Sequence, residues 1–91
     1  MYKIKNLQKR NAKKIGVVIK PSTLKGKKID VYKKGVKVAS IGDRNYKDYA
    51  TWIKTKGLTY ANNRRRLYKL RHKKYRNVKG SASYYADKIL W

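Results

Sequence analysis

The apolar positions of this chain fall into short groups whose spacing changes from one stretch to the next. Residues 1–14, MYKIKNLQKRNAKK, scatter apolar side chains such as Ile4 and Leu7 among cations and contain no acid. A segment of this kind stays solvated until a partner collects its charge, so an extended basic arm, disordered when free, is expected. IGVVIK (15–20) is a short β-type run closed by Pro21, and the following PSTLKGKK reads as a loop.

In KKIDVYKKGVKVASIG, two β-rich runs flank Lys34-Gly35, a two-residue hairpin connection with glycine where φ must be positive. Pairing Lys33 with Val36 places Ile29, Val31, Val36 and Val38 on one face, expected to point to the core. The other face then carries Asp30, Tyr32, Lys37, Ala39 and Ile41. A lone hairpin is marginal in water and needs a helix, the 15–20 run or another chain against it.

Beyond Gly42 the spacing becomes helical. Tyr49, Trp52 and Ile53 lie at i, i+3 and i+4, Asp43 or Asn45 is placed to cap their helix, and Gly57 to end it. Thr59 is an N-cap candidate for a longer helix reaching Arg76. Asn77, Gly80 and Ser81 interrupt it, and Ser83 is placed to cap a last helix ending in Ile89-Leu90-Trp91. At 100° per residue the long helix divides. Leu67, Leu70, Tyr60, Tyr75, Tyr68 and Ala61 form one arc, expected to dock on the hairpin. Arg65, Arg66, Lys69, His72, Lys73 and Arg76 form the opposite one. Arg64, Arg71 and Lys74 project from within the apolar arc, where long stems snorkel outward or meet Asp43, Asp48 or a partner's carboxylates.

The expected architecture is therefore α+β. A β-hairpin (about 27–42) packs on a short helix (about 46–56), a long basic amphipathic helix (about 60–76) and a short C-terminal helix. These belong to a single small domain, 15–91, preceded by the 1–14 arm.

Charge changes how this small domain is read. The 91 residues include 27 Lys or Arg against four Asp and no Glu, a formal net charge of +23, so surface ion pairing cannot balance the cations. Such a chain repels itself and calls for something negative: DNA, RNA or an acidic protein surface. No segment approaches the roughly 18 apolar residues of a spanning helix, so no membrane partner is expected. The N-terminus lacks the apolar region of a signal peptide, and it is poor in the Arg and Ser of a transit peptide. There is no Cys and no Phe, but nine Tyr and two Trp. Neither a disulfide nor a Cys-based zinc site is possible, and tyrosines suit wet interfaces.

No enzyme is expected, and no cofactor or metal. His72 is the only histidine, and neighbouring cations disfavour its protonation. Asp43 and Asp48 are the only close carboxylate pair, better explained by helix capping and ion pairing than by metal binding. No Gly-rich phosphate loop or Ser/His/Asp set is present. In an ordinary domain a basic helix face is simply solvated, but here the acids that normally intersperse it are missing. Arg64, Arg65, Arg66, Lys69, Arg71, Lys73 and Arg76 are thus candidates for binding phosphates or an acidic partner. Tyr32, Tyr84, Tyr85 and Trp91 are candidate interface anchors.

Three blocks, IDVYKKGVKVASIGDRNYKDY, RRRLYKLRHKKYRN and GSASYYADKILW, together resemble a family of small basic proteins of tailed phages and other large double-stranded DNA viruses. There a hairpin is followed by a Gly-Asx-x-x-Tyr-x-Asp-Tyr turn, a basic helix with an RHKK-like core, and a terminal LW-like pair. The resemblance covers about residues 27–91, leaving out the arm. It implies a virion setting, with assembly in the host cytoplasm. The expected role is a minor structural component, an auxiliary capsid or portal-vertex protein. It would be present in multiple copies and bound to acidic capsid or portal proteins, with packaged double-stranded DNA a further contact free of sequence specificity. The alternative is a DNA-binding accessory of genome packaging or condensation. A transcription factor, a weaker third reading, would need a defined site that no motif here promises.

Overall fold

A computed structural model describes residues 2–91. The chain runs α1 (Asn6–Lys14), β1 (Val18–Pro21), β2 (Lys27–Lys33), β3 (Val36–Asp43), α2 (Tyr49–Lys56), α3 (Leu58–Arg71) and α4 (Ala82–Leu90). The strands form one antiparallel sheet in the order β1-β2-β3. The architecture is α+β, with the sheet larger than the expected hairpin by the 18–21 strand.

The N-terminal stretch is not an extended arm. Its residues 6–14 are helical, and Gln8 and Ala12 on one side are buried. The scattered apolar residues carry the reason. Tyr2, Ile4 and Ala12 reach the same cluster as Ile29, Val31, Ile41, Tyr85, Ile89 and Leu90. Asn11 Nδ2 also donates to the Ile89 carbonyl (3.1 Å), tying α1 to α4.

Lys34 and Gly35 both have positive φ (51° and 78°), which fits a tight turn of the kind that follows strand twist. Lys33 pairs with Val36, but the register slips one residue further on. Tyr32 faces Lys37 while Val31 faces Ala39, which leaves Val38 as the extra residue of a bulge. An unbroken register would set Val38 against Val31. The bulge instead sets Ala39 against Val31 and Ile41 against Ile29, and these face the core with α1 and α4. Val36 and Val38, expected inside, are 64% and 40% exposed. One inserted residue thus exchanges a valine for an isoleucine in the core, because side chains alternate faces with period two.

The next correction concerns capping. Asp48, not Asp43 or Asn45, caps α2, its Oδ1 accepting from the Thr51 N–H at 3.0 Å. Its other oxygen accepts from the Tyr2 hydroxyl (2.6 Å) and the Lys28 ammonium (3.1 Å), and Gln8 Nε2 donates to that hydroxyl (2.8 Å). One carboxylate therefore joins the N-terminal segment, the sheet and α2. Asp43 instead accepts from the Asn45 N–H within the turn.

Helix α3 starts directly after Gly57 and ends at Arg71, so neither the Thr59 cap nor the extension to Arg76 occurs. Beyond Arg71 the chain leaves the helix, and Arg76 points back toward Asp87 (4.0 Å). Ser81, not Ser83, caps α4 by accepting from the Tyr84 N–H.

Gly42 has φ 81°, and a Cβ there would lie 2.9 Å from Leu90 Cδ1 and 3.0 Å from Lys28 Cδ. Gly42→Ala should cost about 1–3 kcal/mol from overpacking in addition to left-handed strain, measured as a fall in denaturation midpoint. Gly35→Ala, with nothing within 4 Å, should lose only the strain. Asp48→Ala leaves Lys28 buried without its partner. It should destabilise by about 3–5 kcal/mol, a large share of the roughly 5–15 kcal/mol of a whole domain, read by urea unfolding.

Candidate functional site

The surface is defined by where the four aspartates go. Asp30 is buried and accepts from Ser22 Oγ (2.7 Å) and Ser40 Oγ (2.6 Å). Asp87 is buried beside Lys69 (2.8 Å), Arg76 and Lys88, and Asp48 is buried beside Lys28. Asp43 alone is exposed. Only Lys28, Lys69, Arg76 and Lys88 lie within 4.0 Å of an Asp carboxylate among the described residues. Every element except α4 therefore presents cations that have no Asp carboxylate within 4.0 Å. They include Lys9, Arg10 and Lys13 on α1, Lys33, Lys34 and Lys37 at the hairpin tip, and Lys54 and Lys56 on α2.

Aromatic rings take up part of this excess. Arg65 lies over Tyr49 (4.5 Å), Lys47 and Arg64 over Trp52 (5.0 and 5.4 Å), and Lys20 over Tyr32 (5.1 Å). The negative face of a ring attracts a cation without adding a charge of its own. This is a use of tyrosine that the composition suggested only as interface character.

The long helix is rotated from its expected orientation. Ala61, Tyr68 and His72, at i, i+7 and i+11, face the body of the protein, Ala61 fully buried and the other two partly. Leu67, Leu70, Tyr60 and Tyr75 are exposed. The seam to α4 is polar and aromatic: Tyr68 stacks on Trp91 (4.5 Å, 9° between planes) and on His72 (4.2 Å, 26°). Lys69 meets Asp87, and Arg65 Nε donates to the Trp91 carbonyl (2.7 Å). Buried Asp87 is the reason. It draws Lys69 inward and turns the leucines out, since leaving a carboxylate unpaired there costs more than exposing two leucines.

The predicted binding residues therefore separate. Lys69 and Arg76 are committed to Asp87, Arg65 to Trp91 and Tyr49, and Arg64 to Trp52. Arg66, Arg71 and Lys73 remain exposed, with Lys74 beside them. Among the expected anchors Tyr85 is a core residue, Trp91 is half-buried in the stack, and Tyr84 packs edge-on against Tyr85. Tyr32 is half-buried on the sheet.

Electrostatics follow from this placement. Burial alone would raise the Asp48 carboxyl, but the Tyr2 hydroxyl, Lys28 and the Thr51 N–H together hold it below the ordinary carboxylate range. Asp30 is likewise depressed, as Ser40, Ser22 and Lys37 outweigh its desolvation. Burial, reinforced by Asp87, pushes the Tyr68 hydroxyl up to about 12. Burial and Arg71 lower His72 against the pull of Asp87. Among the described residues no group of His, Cys, Asp or Glu converges as a metal site, and no helix is long and apolar enough to cross a membrane.

Compared with protein-family models, curated proteins and solved structures, the chain matches none of them.

Both depressed aspartates stabilise the fold when ionised. Their contribution is complete above the unfolded carboxylate value, about pH 4, and is lost as pH falls through the lower folded values. Thermal unfolding between pH 6 and pH 2, monitored by circular dichroism, should show a melting temperature level in the upper part and falling steeply below about pH 4.

Proposed function

We propose that this protein is a minor structural component of a viral particle, an auxiliary capsid or portal-vertex protein that holds acidic neighbours together. One observation carries the reading: three of the four aspartates are enclosed in the fold, and the cations left over are spread over six of the seven elements, all but α4, rather than concentrated in one. A protein that reads a duplex needs one cationic face. One set between acidic protein surfaces benefits from contact in several directions, and its interior charge pairs let it reach that place already folded. The resemblance of residues 27–91 to small basic proteins of double-stranded DNA viruses supplies the virion setting.

The cations also suit phosphates, which keeps the DNA-binding accessory as the competing outcome. Particles emptied with nuclease and high salt decide between them by mass spectrometry. Retention in the emptied shell is expected; departure with the DNA would favour the accessory. Absence from particles would overturn both. Combined Arg66→Ala, Lys73→Ala and Lys74→Ala, three exposed positions, should reduce retention in the shell while leaving the melting temperature within about 2 °C, as surface substitutions usually do.

A further inference from the structure

Between the turn at residues 45–48 and helix α3 lies a groove of about 710 Å³, lined by Tyr46, Lys47, Trp52, Arg64, Arg71 and Trp91 among others. A second cavity of about 420 Å³ shares Tyr46, Lys47, Tyr68, Arg71 and Trp91 with it, so the two form adjoining parts of one depression. The larger is within the roughly 300–1,000 Å³ usual for small-molecule sites. Both tryptophans of the chain line it.

Its chemistry is unlike that of the rest of the surface. Lys47 and Arg64 are drawn over the same Trp52 ring, at 5.0 and 5.4 Å, and neither lies within ion-pair distance of an Asp carboxylate. Beside them, Trp52 Nε1 and Arg64 Nε are buried N–H donors without an acceptor. Buried donors in folded proteins are nearly always partnered. Lys47 and Arg64 over one ring, with Arg71 also lining the groove, make a cationic place that an oxyanion would complete. Flat rings adjoin it. Tyr46 is 68% exposed, and Trp91, Tyr68 and His72 already form a stack with 4.5 and 4.2 Å between centroids.

We propose that this groove binds an unpaired nucleotide of a single-stranded nucleic acid. Lys47 and Arg64 hold its phosphate beside Trp52, and its base lies on the Tyr46 and Trp91 rings. A base is a planar group that extends such a stack, and base–aromatic stacking tolerates any base. A duplex keeps its base faces covered by neighbouring bases, so it offers the groove only phosphates. An acidic peptide offers carboxylates without a repeating flat group. The site stands independently of the shell reading, since Tyr46 and Lys47 are separate from the three positions whose loss tests shell retention.

The test uses the full chain, titrated by tryptophan fluorescence with oligothymidylate, with a duplex of equal phosphate number, with inorganic polyphosphate and with an acidic peptide. Oligothymidylate should quench the fluorescence and bind more tightly than polyphosphate. Tyr46→Ala should weaken it by about tenfold, the loss of one stacked base, while duplex and polyphosphate binding and the melting temperature stay unchanged. Lys47→Gln should weaken oligothymidylate as well, with a shallower salt dependence. Polyphosphate binding as tightly as oligothymidylate, or Tyr46→Ala weakening all ligands alike, would overturn the proposal and leave charge alone. Stronger binding of the acidic peptide would overturn it in favour of a protein partner.

Discussion

The Asp48 carboxylate is the point at which three separately formed pieces of this protein become one. It caps α2 through the Thr51 N–H, receives the Tyr2 hydroxyl from the N-terminal segment, and neutralises Lys28 of the central strand. Each interaction meets a need of the partner as well. The first turn of a helix has N–H groups without acceptors, a buried lysine requires an anion, and a half-buried tyrosine requires a place for its proton. A carboxylate has lone pairs enough for all three, whereas an asparagine or serine would answer only part. The N-terminal residues fold against the sheet on this account, despite a sequence that reads as a solvated tail.

Asp87 acts in the same way at the other end of the molecule. Enclosed by α4, it brings Lys69, Arg76 and Lys88 toward one position and sets the rotation of α3. With so few acids, a domain carrying 27 cations has little charge pairing to distribute, and it concentrates this pairing where elements meet. Rings supply what carboxylates do not. Tyr49 and Trp52 hold Arg65, Lys47 and Arg64 in place without neutralising them. The protein thereby orders cations and keeps their charge available to a partner, which links the tyrosine-rich composition directly to the proposed role.

The short-range features were legible because they depend on neighbours in the chain. The Lys34-Gly35 turn, the Lys33–Val36 pairing, the helix ended by Gly57 and the terminal helix with its apolar end all follow from backbone preference and local spacing. Capping was legible in kind but not in residue. Asp43, Asn45 and Asp48 all have side chains suited to it, as have Ser81 and Ser83, and the choice fell to the oxygen that packing brought to the first turn. Of the predicted binding residues, Arg66, Arg71 and Lys73 are exposed, whereas Lys69, Arg76, Arg65 and Arg64 have partners far away in sequence.

By itself the sequence determined the element types beyond residue 14, the α+β class and the excess of cations over acids, because these rest on spacing and composition. Tertiary structure alone decided which faces point inward. The Val38 bulge, the exposed Leu67 and Leu70, and the folded N-terminal helix each run against local hydrophobic pattern. In each case a distant group makes the difference: the packing of Ile29 against Ile41, the buried Asp87, and the Asp48 carboxylate. In a core this small, satisfying one buried charge outweighs the exposure of several apolar side chains, and the position of that charge is known only once the chain has folded around it.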